Sequence, residues 1–158
     1  MNRRYAEKTT VDAGRSRDQI ESMLMRFGCD EVGCLTRRDS AVIGFRYRTV
    51  AFEIRVPMPD REAPEFQRTP ARGTKRDPAA AFASWEQEVK RRWRSLHAIV
   101  KAKLIAIEDQ VTTFEAEFLP YAVWADGQTT TEKLLPVMRH AMENKTALML
   151  PPAAQKGN

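Results

Sequence analysis

The sequence predicts an α+β fold with an N-terminal helix, a three-stranded antiparallel meander, a long basic loop, a long amphipathic helix and shorter C-terminal helices. Three observations support this prediction. Apolar and polar residues alternate through 41–56, as they do in half-buried strands. Apolar residues recur every three or four positions through 78–110, as they do on one face of a helix. The prolines of 57–78 separate the two patterns, because they exclude both a continuous helix and a central strand.

The length of 158 residues indicates one domain that is large enough to bury its own core. We expect this domain to cover residues 15–150. Residues 1–14 are polar and lack periodic apolar positions, so they are expected to form a flexible N-terminal arm. Residues 151–158 are expected to form a C-terminal tail.

The first helix is predicted to begin at Ser16. Gln19 stands at the third helical position after this serine, which is the arrangement of a capping box. Gly28 provides the expected end of the helix. The apolar face consists of Ile20, Met23, Leu24 and Phe27.

The meander is predicted to contain strands over 32–36, 41–47 and 50–56. A turn at 48–49 brings the large apolar residues of the last two strands onto one face. The predicted pairs are Tyr47 with Val50, Phe45 with Phe52, and Ile43 with Ile54. The other face of the sheet is expected to be basic and to carry Arg46, Arg48 and Arg55, offset by Glu53, which we expect to pair with Arg46 across the hairpin.

The long helix, predicted over 78–110, has a packing face and a cationic face. Its apolar stripe consists of Phe82, Trp85, Val89, Trp93, Leu96, Val100, Leu104 and Ile107. Its opposite face carries Lys90, Arg91, Arg94 and Lys101. Because the helix and the sheet each have one apolar face, we expect Phe45, Phe52, Ile54, Trp85, Val89 and Leu96 to share one core.

The segment 57–78 is predicted to be a flexible basic loop. Its cations are Arg68, Arg72, Lys75 and Arg76, with no acidic residue among them. Loops of this length are usually functional or disordered. The competing interpretation is a solvated linker.

Shorter helices are predicted in the C-terminal third. Thr112 and Thr113 are candidate caps of a short helix that Pro120 ends. Asp126 and Gly127 indicate a turn. A last helix is expected to begin near Thr131 and to carry Leu134, Leu135, Val137, Met138, Ala141 and Met142.

The charge is distributed unevenly along the chain. The whole sequence carries +5, with 26 basic and 21 acidic residues. Residues 108–158 contain four basic and seven acidic residues and so carry −3, which leaves +8 on residues 1–107. A basic body of this kind is expected either to bind a polyanion or to be simply well solvated.

The residues that could support catalysis do not form a recognisable site. His97 is expected to be structural, and His140 stands alone. Asp39 and Glu53 suggest a metal-dependent nuclease, but Arg55 stands where such a site needs lysine. We expect no catalytic residues, no metal site and no cofactor.

The cysteines and the apolar segments indicate the cellular compartment in which the protein is expected to act. Cys29 and Cys34 are expected to be reduced thiols, because no secretory signal is recognised. No apolar run reaches the ~20 residues that span a bilayer. We therefore expect a cytoplasmic protein with no membrane partner.

Five segments of the sequence carry a resemblance to known proteins: WEQEVKRRWR at 85–94, KAKLIAIE at 101–108, TTFEAEFL at 112–119, the DGQT turn at 126–129 and VPMPD at 56–60. With these segments the chain resembles a family of small, uncharacterised bacteriophage and prophage proteins. The resemblance covers roughly 17–140. It implies a mobile-element product that acts inside a bacterial host, and it supplies no site.

Two functions follow as hypotheses. The first is a nonenzymatic DNA-binding accessory protein of a phage, active in recombination or replication, whose cations contact phosphates. The predicted contacts are Arg46, Arg48, Arg55, Arg68, Arg72, Lys75, Arg76, Lys90, Arg91 and Arg94. The second is a regulator that binds or inhibits a host or phage protein through exposed tryptophans. Single-stranded DNA, double-stranded DNA and homo-oligomer formation all remain open.

Overall fold

The computed structural model describes residues 3–37 and 39–148, with side chains from Gly14 onward. The helices are α1 (Arg3–Phe27), α2 (Pro64–Gln67), α3 (Pro78–Glu108), α4 (Phe114–Phe118) and α5 (Thr130–Asn144), and a 3-10 turn covers Leu119–Tyr121. The strands are β1 (Glu31–Thr36), β2 (Ser40–Tyr47) and β3 (Val50–Pro57). This order confirms the predicted α+β class. The predicted tail over 151–158 lies outside the described residues.

Helix α1 begins well before the predicted cap. It starts at Arg3, so the stretch expected to be a flexible arm is helical from that residue. Ser16 lies inside the helix and is buried, and it therefore does not cap it. Residues 3–15 contain no proline, and a single glycine at Gly14 costs only about 1 kcal/mol in a helix interior. The capping-box pattern was therefore misleading here.

The sheet has the order β1-β2-β3, and each neighbouring pair is antiparallel. The predicted hairpin register is confirmed, since Tyr47 pairs with Val50, Phe45 with Phe52 and Ile43 with Ile54. Arg48 lies in the connecting turn with a φ of 55°, which closes the two-residue loop.

One face of the sheet is covered by α1, α3 and α4, and the core lies between these layers. Phe118 of α4 is fully buried and meets Phe45 edge to face, with 5.5 Å between ring centroids. Phe114 stacks on Tyr47 at 3.9 Å. The short helix α4 therefore contributes aromatic rings to the centre of the core. The buried apolar side chains of α1 and α3 in this core are Ile20, Leu24, Trp93, Leu96, Val100 and Leu104.

Helix α3 joins the shared core only from Val89 onward. Phe45, Phe52, Ile54 and Leu96 are buried there together, and Val89 packs against them, as predicted. The prediction for Trp85 is wrong. Its ring is half-buried outside the core, and its indole Nε1 donates a hydrogen bond of 2.8 Å to the Pro59 carbonyl. A helix of 31 residues, about 46 Å long, extends beyond a three-stranded sheet, so its first turns need another cover.

The segment predicted to be a flexible loop provides this cover and contains regular structure. Helix α2 buries Phe66 against α3. A small hairpin follows, in which Arg68 and Lys75 form a β-bridge and the Thr69 amide donates to the Thr74 carbonyl at 2.9 Å. Asp77 then caps α3 by accepting hydrogen bonds from two backbone amides. The apolar Phe66 needs burial, which explains why this segment packs down.

The C-terminal helices lie close to their predicted positions. Thr113 caps α4, and Pro120 lies in the 3-10 turn that follows α4. Helix α5 begins one residue before the predicted start, behind a capping box formed by Thr129 and Glu132. Between these helices the chain runs beside β3, where the Val123 amide donates to the Ala51 carbonyl.

Candidate nucleic-acid interface

The arginines predicted on the outer sheet face are engaged by carboxylates. Arg46 lies 3.4 Å from Glu31, so the predicted pair with Glu53 is wrong. Arg48 lies 3.6 Å from Glu115. Across an antiparallel sheet, Arg46 and Glu31 are direct neighbours, which explains the choice of partner.

Arg55 has a structural role at the sheet surface. Its guanidinium contacts Glu53 at 2.8 Å and Glu132 of α5 at 2.5 Å, and it donates to the Gly127 carbonyl at 3.1 Å. The hydrogen bond to Glu53, together with the charge of Glu132, raises the pKa of Arg55. Arg55 therefore links the turn before α5 to the sheet. Glu53 and Glu132 neutralise its charge.

The cations of the 68–76 hairpin have a different environment. Arg68 donates to the Gly73 carbonyl at 3.0 Å, which stays within the hairpin. Arg72 and Lys75 are exposed, and Arg76 is half-buried. Within the described part of the chain, none of the four forms an ion pair with a carboxylate. The hairpin therefore presents a concentrated positive charge on a hydrogen-bonded backbone.

The cations of α3 line a depression beside α2. This depression has a volume of about 550 Å³ and lies between α2 and α3. Its lining residues are Phe66, Ser84, Gln87, Glu88, Lys90, Arg91 and Arg94. The predicted helix cations Lys90, Arg91 and Arg94 therefore share this depression with Phe66 of α2, which precedes the hairpin by two residues.

The sheet arginines do not belong to this surface. Helix α3 packs its apolar stripe toward the sheet, so Arg91 and Arg94 point away from it. Arg46 and Arg55 lie on the other face of the sheet, because buried and exposed positions alternate along each strand. The ten predicted contacts are thus divided between two sides of the molecule.

Glu88 neutralises part of the helix surface. Its carboxylate accepts two hydrogen bonds of 2.7 Å from Arg91 and one of 3.1 Å from Arg92. Arg92 also donates to the Pro57 carbonyl. Hydrogen bonds from Arg91, followed by those from Arg92, lower the pKa of Glu88 from 4.5 to about 2. Arg94, by contrast, has no carboxylate partner among the described residues.

The lowered pKa of Glu88 predicts a pH-dependent contribution to stability. A carboxyl whose pKa is lowered by folding stabilises the fold above its ordinary pKa, and that stabilisation is lost as the pH falls from 4.5 toward 2. Glu88→Gln should therefore lower the free energy of unfolding by about 1 kcal/mol at pH 7. The difference from wild type should shrink as the pH approaches 3, in urea titrations across that range.

Glu143→Gln is the matched control for this titration, because Glu143 is exposed on α5 and makes no ion pair within the described residues. This variant should follow the wild-type pH dependence. A Glu88→Gln difference that stays constant between pH 7 and pH 3 would show that the ion pairs of Glu88 do not contribute to stability.

The three tryptophans have three different environments. Trp93 is 2% exposed, and the Arg17 guanidinium lies 5.6 Å from its ring centroid. Trp85 is half-buried and donates its indole N–H to the Pro59 carbonyl. Trp124 is 51% exposed, with its Nε1 bonded to the Thr130 hydroxyl at 3.0 Å and the Lys133 ammonium 5.0 Å from its ring. Only Trp124 therefore offers a largely exposed ring.

The structure contains a second cleft that the sequence did not predict. It has a volume of about 460 Å³ and lies between the end of β1, the segment 58–62 and α3. Trp85, Val89 and Trp93 form its apolar wall, while Arg37 and Arg61 lie at its polar side. Pro57 and Pro59 are the sequence signal near this cleft, and by themselves they predict the beginning of a loop.

The histidines, cysteines and acidic residues of the described chain bear on metal binding and on nucleophilic chemistry. No group of three or more His, Cys, Asp or Glu residues there could hold a metal ion. Cys29 and Cys34 are both free, and burial, aided by the charge of Asp30, raises the pKa of Cys29 to about 11. At neutral pH the Cys29 thiol is therefore protonated and a poor nucleophile.

Comparison with known proteins adds no assignment. No family model matches the chain, and neither a curated protein nor a solved structure matches it. The resemblance to phage proteins therefore stays a prediction. Among the described residues, no helix combines the length and the apolar character that crossing a membrane requires.

Proposed function

We propose that this protein is a nonenzymatic nucleic-acid-binding accessory protein of a phage or prophage, acting on DNA in recombination or replication in the cytoplasm of the bacterial host. One observation carries the proposal. The cations of the 68–76 hairpin lack carboxylate partners in the described structure, and the hairpin directly follows α2, which packs on α3. The phage context rests on the sequence resemblance alone.

The local electrostatics favour a polyanionic ligand. The hairpin contains four cations and no acid between residues 68 and 76, and Asp77 is occupied as the cap of α3. Like charges held this close repel one another, and phosphates would relieve that repulsion and release counterions. Contacts to phosphates carry no sequence information. We therefore expect binding that is independent of sequence.

Only part of the predicted contact set supports this function. Arg68, Arg72, Lys75, Arg76 and Arg94 are the strongest candidates. Arg91 is partly neutralised by Glu88. The sheet arginines are paired with carboxylates on another side of the molecule, and an ion-paired arginine gains less from a phosphate.

Fluorescence anisotropy with labelled DNA across a salt series tests the proposal directly. The wild-type chain should bind at low salt, and log affinity should fall linearly with log salt concentration. Oligonucleotides of different sequence and equal length should bind with similar affinity. Absence of binding at the lowest salt concentration would rule out a phosphate-binding role for the hairpin.

A protein-binding regulator is the second candidate, and the exposure of Trp124 favours it. Exposed apolar side chains lie nearby in the chain on α5, where Met138 is 41% and Met142 is 70% exposed. Tryptophan is frequent at interface hot spots, and methionine adapts to varied surfaces. If the DNA titration is negative, capture of a host or phage protein that depends on Trp124 would support this candidate.

A further inference from the structure

The groove between α1 and α3 is a second basic surface that the proposed function does not use. It has a volume of about 440 Å³. Arg15, Arg26 and Lys101 line it together with His97, and Asp18 is the carboxylate in its lining. The remaining lining residues are the neutral Gln19, Ser22 and Met23. The groove therefore has a net positive charge.

Its cations are spread along the length of the groove. Arg17 lies over Trp93, and Phe27 stacks on Phe114 just beyond the end of α3, so α1 and α3 run in the same direction. Arg15 and Arg26 lie on one face of α1, about 16 Å apart along its axis. Charges at this separation can meet different phosphates of one nucleic-acid backbone.

The groove continues the basic surface of the depression between α2 and α3. Lys90, Arg94 and Lys101 follow one another at steps of four and seven residues, which places them on one line of α3. Arg94 lines the depression next to α2, and Lys101 lines the groove next to α1. The two basic surfaces are therefore neighbouring sections of one strip along α3.

The cations of the groove are available for a ligand. Arg15 and Lys101 make no ion pair within the described residues. Arg26 donates its Nε–H to the Ser22 carbonyl at 3.2 Å, which leaves its terminal nitrogens to other acceptors. The one carboxylate, Asp18, does not balance three cations.

We propose that the α1–α3 groove is a second phosphate-binding site, and that the strip it forms with the α2–α3 depression binds the backbone of double-stranded DNA. This inference rests on the proposed nucleic-acid-binding function. It adds Arg15, Arg26 and Lys101 as contact residues. The inference also specifies double-stranded DNA, and not a single strand, as the ligand.

The choice of a duplex follows from the side chains that line the strip. Proteins that hold single strands commonly stack the bases on exposed aromatic rings. No exposed Phe, Tyr or Trp lines either depression, because Phe66 is buried. The cations also lie on two helices, and a row of charges along a helix axis can follow the regularly spaced phosphates of a duplex. Such a surface contacts phosphates without reading bases.

A charge-matched pair of triple variants tests the inference. The first replaces Arg15, Arg26 and Lys101 by glutamine. The control replaces Arg37, Arg61 and Arg139, which lie outside the strip, and so removes the same charge. Anisotropy titrations of both variants and wild type use a labelled 20-base-pair duplex and one of its single strands, across a salt series.

The wild type should bind the duplex more tightly than the single strand. For the groove variant, the slope of log affinity against log salt should become shallower by up to about 2.7, or about 0.9 for each phosphate that the variant no longer binds. The control variant should keep the wild-type slope.

Three results would overturn the inference in different ways. If both variants lose the same slope, the groove is not a contact site, although the hairpin proposal stands. If the wild type prefers the single strand, the assignment of a duplex is wrong. If the wild type binds neither oligonucleotide, the proposed function fails and this inference fails with it.

Discussion

Replacing Arg68, Arg72, Lys75 and Arg76 by glutamine is expected to weaken DNA binding severely. If each side chain contacts one phosphate, the slope of log affinity against log salt should become shallower by up to about 3.6 for a duplex and about 2.8 for a single strand. The loss should be similar for all DNA sequences. Anisotropy titrations from low to physiological salt measure both quantities.

We expect the fold to be retained, because backbone hydrogen bonds hold the hairpin in addition to the bond from the Arg68 side chain to the Gly73 carbonyl. The Gly73 amide donates to the Thr69 carbonyl at 2.9 Å, and the Arg76 amide donates to the Gln67 carbonyl at 2.8 Å. These bonds do not involve the basic side chains. An unchanged melting temperature would confirm that any loss of affinity comes from the loss of charge.

Two double variants localise the effect. Arg72→Gln with Lys75→Gln removes two hairpin cations, whereas Arg46→Gln with Arg48→Gln removes two cations that are paired with carboxylates on or beside the sheet. The hairpin variant should lose up to about 1.8 in slope on a duplex, and the sheet variant much less. Equal losses would mean that the whole basic surface attracts DNA and that the hairpin is not a distinct site.

Trp93→Ala is expected to be the most destabilising single substitution among the tryptophans. The ring is 2% exposed and belongs to the core shared by the sheet and the helices. Truncation removes the transfer free energy of a large aromatic ring and leaves a cavity, which together cost about 3–5 kcal/mol. Urea unfolding followed by circular dichroism should show this loss as a lower midpoint with an unchanged dependence on denaturant.

Trp85→Ala is the matched control, because it removes the same side chain eight residues earlier on the same helix. Trp85 is half-buried outside the core and contributes one hydrogen bond to the Pro59 carbonyl. We expect a loss of about 1–2 kcal/mol. Equal losses of unfolding free energy for the two variants would contradict this expectation. They would indicate that Trp85 contributes to the stability of the fold as much as Trp93 does.

The sequence by itself determined the features that depend on neighbouring residues. Alternation along β2 and β3 settled the hairpin register, because a slip of one residue would turn Phe45 and Phe52 away from the core. The apolar period settled the helical type of α3 and α5, and Pro78 settled where α3 begins. Thr113 and Pro120 settled α4 in the same way, since caps and breakers act within one turn.

The tertiary structure alone decided which cations are neutralised and which remain available. Arg55 meets Glu132, which is 77 residues away in the chain, and no local pattern could indicate that pair. The burial of Phe66 and the separation of Trp85 from the core depend on how far α3 extends beyond the sheet. Net charge can be counted from a sequence, whereas the charge that a ligand meets depends on distances between residues that only the folded chain brings together.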